Sequence, residues 1–288
     1  MEFTEKYINP FTEYGFKRLF GEATSKELPL DFLNELLQQE QGRITSLTYL
    51  KTDRLGSGEE NRRTVFDLYC ENERGKKFFV ELQKNKQKFF KDRTVYYSTF
   101  PIGEQAQRSS DRNFELHAVY MVAILDFVFD EDKAAKDKFC YNVKLTDIAT
   151  CNDKLTFIYL EMPKFTKSLH QLTSRFDKWM YVLRNLNKLD RVPEELREGI
   201  LVKLFELAEI AQFNREKGAT YEENLKLYRD LKHALDIARE EGRAEGIAKV
   251  IELVFMVISL FKSGKSVEEI ATQTGMKAEQ IAQILQKI

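Results

Sequence analysis

Histidine and cysteine, the side chains that build most zinc and redox sites, are scarce in this sequence. Its 288 residues include only three of each. Cys70, Cys140 and Cys151 are spaced unlike any zinc motif, and no secretory signal is recognisable at the N-terminus. We therefore expect reduced thiols and a cytoplasmic protein. The histidines lie far apart in the sequence and are interpreted as structural.

Long apolar runs are also missing. The most apolar late segment, residues 250–261, is only about twelve residues long and contains Glu252, whereas a membrane span needs about 20 residues. We expect a buried helix there and no membrane association. The motifs GxSxG, Walker A and GxGxxG are absent as well, so hydrolase triads and nucleotide-binding folds have no support.

Neither sign of charge dominates the chain. Lys and Arg number 45 against 46 Asp and Glu, which gives a net charge of -1. This balance excludes a polycation that would bind nucleic acid through its overall charge. Any such binding must depend on local clusters of Lys and Arg.

The order of the periodic segments predicts an α/β core followed by an all-helical region. We expect the core within residues 1–165, a helical extension at 166–235 and a helical tail at 236–288. The strands are predicted near 43–55, 65–70, 76–84, 115–129, 139–146 and 155–161. The helices are predicted near 11–21 (between Thr12 as N-cap and Gly21), 26–40, from 88 onward with an interruption at Pro101, and at 166–187, 194–217, 220–246 and 247–263.

Two acidic residues stand in a pair of strands that otherwise look buried, VFDLYCENERGKKFFVELQK. The turn suits a three-residue loop with Gly75 in the left-handed conformation, which makes the numbers of paired residues sum to 148. Asp67 then lies opposite Glu81, with β-carbons about 5 Å apart. Two like charges at directly opposite positions destabilise a hairpin, unless a cation or a shared proton lies between them.

A hard divalent ion, Mg²⁺ or Mn²⁺, suits such an oxygen-rich position, with the backbone carbonyl of Leu82 as a further ligand. Gln83 shares the face of Glu81 and could orient a water or a phosphate oxygen. The alternative is that both acids lie on a solvated face of the sheet near Lys76 or Arg63.

A basic run with interleaved aromatics follows the hairpin. Basic groups attract phosphates regardless of base sequence, and aromatics can stack on bases. A solvated helix face and ordinary core packing are the alternative interpretations. The basic residues are Lys84, Lys86, Lys88, Lys91 and Arg93, and the aromatics are Phe89, Phe90, Tyr96 and Tyr97.

Asp67 followed by Glu81-Leu82-Gln83 resembles the PD-(D/E)XK nuclease signature. Together with INPFTEYGFKRLFG, LPLDFLNELL and FFKDRTVYYSTFPIGEQAQ, it is similar to the Rpn-type recombination-promoting nucleases, or PD-(D/E)XK transposase-like proteins, over roughly residues 7–130. The resemblance implies a restriction-endonuclease-like αβββαβ core and Mg²⁺-dependent or Mn²⁺-dependent endonucleolytic cleavage of double-stranded DNA, linked to recombination or mobile elements.

Carried over to this sequence, the resemblance implies that Asp67 and Glu81 hold the metal and that Gln83 matches the last motif position, usually lysine. Glu13 could complete the metal shell, and Lys17 or Arg93 could neutralise the transition state. Because Gln83 carries no charge, Lys84 or Lys17 would have to supply the positive charge that lysine usually provides at this position. The alternative function is a DNA-binding or interaction protein on a decayed nuclease core.

The C-terminal segment SVEEIATQTGMKAEQIAQIL predicts two short helices separated at Gly275. We expect Val267, Ile270 and Ala271 to pack against Ile281 and Leu285. The pattern resembles a helix-turn-helix, although Lys277, Gln280, Gln283 and Lys287 are few contacts for base recognition. A plain helical hairpin or a homo-oligomerisation element is the other interpretation.

Overall fold

The computed structural model describes residues 5–50, 67–108, 116–129, 140–146 and 151–286. For residues 38–41, 106–108, 140–146 and 151–153 it describes the backbone alone. The end of the first predicted strand, at 51–55, and the start of the first hairpin strand, at 65–66, lie outside the described residues.

The chain begins with short helices, as the sequence predicts. The Thr12 hydroxyl accepts a hydrogen bond from the Gly15 backbone N–H and caps helix α1, Glu13–Phe16. A π-helical turn, Lys17–Gly21, continues it and ends at the predicted glycine. Helix α2 covers Glu27–Gln41, with Pro29 in its first turn, where no intrahelical donor is lost.

Six strands of the described residues form one mixed sheet in the order β1-β2-β3-β4-β6-β5. The pairs β1–β2, β2–β3 and β5–β6 are antiparallel, whereas β3–β4 and β4–β6 are parallel. The element order therefore confirms the predicted αβββαβ core. The strands are β1 Leu47–Tyr49, β2 Leu68–Asn72, β3 Lys77–Gln83, β4 Val119–Leu125, β5 Cys140–Thr146 and β6 Cys151–Glu161.

Helix α3, Phe90–Arg108, provides the crossover between the parallel strands β3 and β4. The interruption predicted at Pro101 is wrong, because the helix continues through this residue. Phe100 and Ile102, on either side of the proline, pack against the apolar cluster of the sheet. Tertiary packing thus overrides the unfavourable helix propensity of proline. The cluster also holds Tyr69 and Phe79, whose stacked rings lie 4.2 Å apart.

The region after the sheet is helical, as predicted, but the boundaries of its helices differ from the predicted ones. Helix α4, Arg175–Asn185, begins late because the Ser174 hydroxyl caps it. Helix α5 covers Gly199–Ala208, and helix α6 runs unbroken over Arg215–Lys262. The predicted break between 246 and 247 is wrong, since Gly242 and Gly246 are flanked by helix-favouring Ala, Glu and Arg.

The chain divides into two compact units, residues 1–225 and 226–288. In the second unit, helices α7 Val267–Thr274 and α8 Ala278–Leu285 flank Gly275, which is left-handed with φ of 70°. The expected apolar cluster is present, with Ile270 and Ile281 buried against Val257. The predicted domain limits at 165 and 235 stay a prediction. None of the described helices is long and apolar enough to cross a lipid bilayer.

Candidate active site

The β2–β3 hairpin has the predicted register. Leu68 pairs with Val80 and Tyr69 with Phe79, so the paired numbers sum to 148. Gly75 adopts a φ of 72°, the left-handed conformation that the tight loop requires. Asp67 lies one residue before β2, and the same register continued by one residue sets it beside Glu81.

The side chain of Asp67 is tied to the end of β3. Its Oδ2 accepts a hydrogen bond of 2.7 Å from the Leu82 backbone N–H. Burial raises the pKa of Asp67, while the hydrogen bond from Leu82 and the charges of Lys17 and Lys84 oppose the rise. The structure thus brings Asp67 to the predicted position; the proposed role of the Leu82 carbonyl as a metal ligand stays a prediction.

Glu81 is a largely buried acid with one engaged oxygen. Burial raises its pKa to about 7; Arg93 lowers it and the charge of Asp67 raises it. Glu81 Oε1 accepts a hydrogen bond of 2.5 Å from Arg93 Nη2. The other oxygen, Oε2, is buried and receives no hydrogen bond from the described residues. The electrostatic effect of Asp67 on Glu81 shows that the two acids share one site.

Arg93 points into the site rather than toward solvent. Its Nη2 also donates to Gln83 Oε1 at 2.8 Å, and its Nη1 donates to Gln87 Oε1 at 2.5 Å. The Gln83 amide nitrogen in turn donates to the Asn85 carbonyl at 2.9 Å. Both ends of the Gln83 amide are therefore engaged within the protein, so in this arrangement Gln83 orients Arg93 rather than a water.

A second group of charges comes from helix α1. Glu13 forms an ion pair of 2.6 Å with Lys17, one helical turn away. This hydrogen bond lowers the pKa of Glu13, against burial. Burial lowers the pKa of Lys84, while the charges of Asp67 and Glu13 oppose the shift. The charges of Glu13, Lys17 and Lys84 all act on Asp67, while the metal-binding role of Glu13 and the charge-neutralising role of Lys17 or Lys84 stay predictions.

Three exposed lysines, Lys86, Lys88 and Lys91, follow β3 in the sequence and are called the basic strip here. Lys86 Nζ donates to the Phe129 carbonyl, and Lys91 Nζ lies 4.7 Å from the centroid of the Phe129 ring. Lys88 Nζ lies 5.3 Å from the centroid of the Phe89 ring. Two of the four interleaved aromatics, Phe89 and Tyr96, are 64% and 51% exposed, whereas Phe90 is buried in the core cluster and Tyr97 packs against it.

The donor set fits one hard divalent ion held mainly by water and two carboxylates. Among the described residues, no three His, Cys, Asp or Glu side chains gather closely enough to hold a metal. Glu13 is paired with Lys17 and is not gathered with the two hairpin acids in such a group. Mg²⁺, however, usually keeps several waters and takes only one or two carboxylates. The orphaned Glu81 Oε2 is a buried acceptor suited to such an ion.

Two polar residues of the site, Asn85 and Gln87, are absent from the sequence-based prediction. Gln87 holds Arg93, and the Asn85 carbonyl holds Gln83. Their alternation with lysines in KNKQK hides them within an apparently uniform basic run. The signal that could have identified them is their position directly after β3, where polar groups face the site.

A comparison with protein families assigns the chain to one of them. The model of the PD-(D/E)XK nuclease family transposase family matches residues 10–238, which is most of the chain. The protein belongs to this family. No curated protein and no solved structure matches the chain significantly. Membership indicates nuclease-like chemistry on DNA, in a superfamily whose members generally use divalent metals.

Proposed function

We propose that the protein is a metal-dependent endonuclease that hydrolyses phosphodiester bonds of double-stranded DNA. One observation carries the proposal: continued by one residue, the hairpin register would bring Asp67 and Glu81, two partly buried acids, side by side, and Glu81 Oε2 receives no hydrogen bond from the described residues. Family membership supports the reaction class. Mg²⁺ or Mn²⁺ is the proposed cofactor, and recombination or mobile elements the proposed setting, in the cytoplasm.

Asp67 and Glu81 are the proposed metal ligands. The Leu82 N–H fixes Asp67 Oδ2, and Arg93 fixes Glu81 Oε1. One oxygen of each carboxylate is thereby held in place. A divalent ion, when bound, supplies a Lewis acid for the phosphate and lowers the pKa of water.

We propose that Lys84 supplies the positive charge that a lysine usually provides at the last motif position, where this chain has Gln83. It directly follows Gln83, is half-buried, and interacts electrostatically with both Asp67 and Glu13. Lys17, by contrast, is engaged by Glu13 at 2.6 Å. A half-buried ammonium near the reacting phosphate stabilises the charge that develops in the transition state.

The basic strip is the proposed contact for the DNA backbone. Its three lysines are exposed and follow directly on β3, the strand that ends in Glu81-Leu82-Gln83. Contacts of this kind supply affinity without sequence preference and weaken with salt. Oligomerisation through the helical tail stays a prediction.

A plasmid assay tests the proposal. Supercoiled DNA incubated with the purified protein should be nicked or linearised when Mg²⁺ is present and remain intact with EDTA. Glu13→Gln should retain more activity than Asp67→Asn, because Glu13 is bound to Lys17. Cleavage that is insensitive to EDTA, or that persists undiminished in Asp67→Asn, would refute the assignment.

The second candidate function is DNA binding without cleavage. The observation that favours it is the neutral Gln83, whose amide is engaged at both ends instead of facing a substrate. In that case DNA binding would be salt-sensitive, and no cleavage product would form with Mg²⁺ or Mn²⁺.

A further inference from the structure

The guanidinium of Arg93 is held by three acceptors that all belong to the candidate site. They are the side-chain oxygens of Glu81, Gln83 and Gln87, at 2.5, 2.8 and 2.5 Å. The rings of Phe90 and Tyr97 flank the same group, at 4.9 and 5.6 Å from the guanidinium carbon. An arginine fixed in this way is part of the site and not a mobile surface cation.

Arg93 is also the cation bonded directly to Glu81. It neutralises a carboxylate that burial alone would strongly disfavour as an ion. A divalent ion at the same carboxylate would face this positive charge a few ångströms away, where two cations repel each other in a partly buried setting. Both cations therefore stabilise ionised Glu81, but each weakens the binding of the other.

We propose that Arg93 is a positioning residue that serves as the resting counter-charge of Glu81 and competes with the divalent ion for it. The inference rests on the proposed function, because it takes Glu81 as a metal ligand. Ion binding loosens the contact between Arg93 Nη2 and Glu81 Oε1. The freed fork of Arg93 can then take a phosphate oxygen, a geometry for which a guanidinium is well suited.

Binding of Mn²⁺ to the full-length protein, followed by electron paramagnetic resonance, tests the competition. Arg93→Met keeps the length of the side chain and removes its charge. Because couplings between two sites are commonly 5–150-fold, we expect this variant to bind Mn²⁺ about tenfold more tightly than the unsubstituted protein. Arg93→Lys keeps the charge but lacks the planar guanidinium fork that spans the three acceptors, so the Mn²⁺ affinity of this variant should fall between those of Arg93→Met and the unsubstituted protein.

Arg215→Met is the matched control. It removes the same charge from an exposed arginine at the start of α6, far along the chain from the hairpin. Its Mn²⁺ affinity should equal that of the unsubstituted protein. Equal or weaker binding by Arg93→Met overturns the inference while leaving the proposed function intact.

Two further outcomes are decisive. The first concerns Glu81 itself. If the unsubstituted protein binds no Mn²⁺, or binds it no more tightly than Glu81→Gln does, both the proposed function and the inference are refuted. If Arg93→Met does not fold, the ¹⁵N signal of the Arg93 side chain in the unsubstituted protein gives the answer. It should shift during a Mg²⁺ titration, and a signal that stays in place overturns the inference.

Discussion

Glu81 shows how one residue is tuned by its surroundings. Burial raises its pKa, Arg93 opposes the rise and Asp67 adds to it. As a result, Glu81 gains and loses its proton near neutral pH, whereas an exposed glutamate does so at a lower pH. Asp67 shifts in the same direction, also through burial. Ionisation of either acid therefore costs folding free energy unless a cation compensates the charge, as Arg93 does in part for Glu81.

This tuning predicts a pH dependence of stability for the metal-free protein. The pKa of Glu81 is about 7 in the folded protein, against an ordinary value of 4.5 for a glutamate in water, so the folded state binds the proton more tightly. The stabilisation that comes from this bound proton is complete below pH 4.5, and it is lost as the pH rises through about 7. In EDTA, the free energy of unfolding should fall between pH 4.5 and 7 by roughly 3 kcal/mol more than in Glu81→Gln.

Urea unfolding across this pH range measures the difference. The variant provides the control, since a glutamine does not titrate. If the two proteins gave parallel stability curves, Glu81 would not be the buried acid described above.

At the level of secondary-structure elements, the register of the hairpin could be predicted from the sequence. The way helix α3 packs beside the hairpin could be predicted only in part. The loop length and Gly75 determine the register, so Asp67 and Glu81 could be paired from sequence. The inward orientation of Arg93 could not, because it depends on how the start of α3 packs beside β3. Likewise Pro101 reads as a helix interruption, whereas packing of its neighbours on the sheet keeps α3 continuous.

Replacing glycine with alanine should have opposite effects on stability at two positions, Gly75 and Gly103. Gly75 has a φ of 72°, and an added β-carbon would lie 3.1 Å from the ring of His117. Gly75→Ala should therefore lower the free energy of unfolding by about 1–2 kcal/mol. Gly103 lies inside α3 with no atom within 4 Å of an added β-carbon. Gly103→Ala should raise stability by about 0.5–1 kcal/mol.

Thermal and urea unfolding of both variants would check this pair. A neutral Gly75→Ala variant would mean that the turn does not need its left-handed residue. The hairpin register, and with it the pairing of the acids, would then have to be reconsidered.

At the scale of the whole molecule, function depends on local charge rather than net charge. The chain as a whole is nearly neutral. The basic strip of Lys86, Lys88 and Lys91 nevertheless concentrates positive charge in the segment that follows β3. The helical region after the sheet was recognisable from its periodicity, but the continuity of α6 was not, because two glycines mimic a helix end.

Replacing the three lysines of the basic strip with glutamine should weaken DNA binding about equally for unrelated sequences. Each phosphate contact contributes about 0.9 to the slope of log K against log salt, so the slope should fall by up to about 3. Fluorescence anisotropy at several salt concentrations measures it. Substitution of Lys188, Lys217 and Lys226, three exposed lysines of the helical region, is the matched control. An equal loss of DNA binding in this control would show that the basic strip makes no specific contribution.

The central claim is that Asp67 and Glu81 together form a metal-dependent nuclease site. The most direct measurement is Mg²⁺-dependent cleavage of supercoiled plasmid by Glu81→Gln, with Glu206→Gln, an exposed acid of α5, as the matched control. We predict at least about a hundredfold loss of cleavage in the first variant, as expected when an electrostatic group of the site is removed, and none in the second. Full cleavage by a correctly folded Glu81→Gln variant would contradict the account.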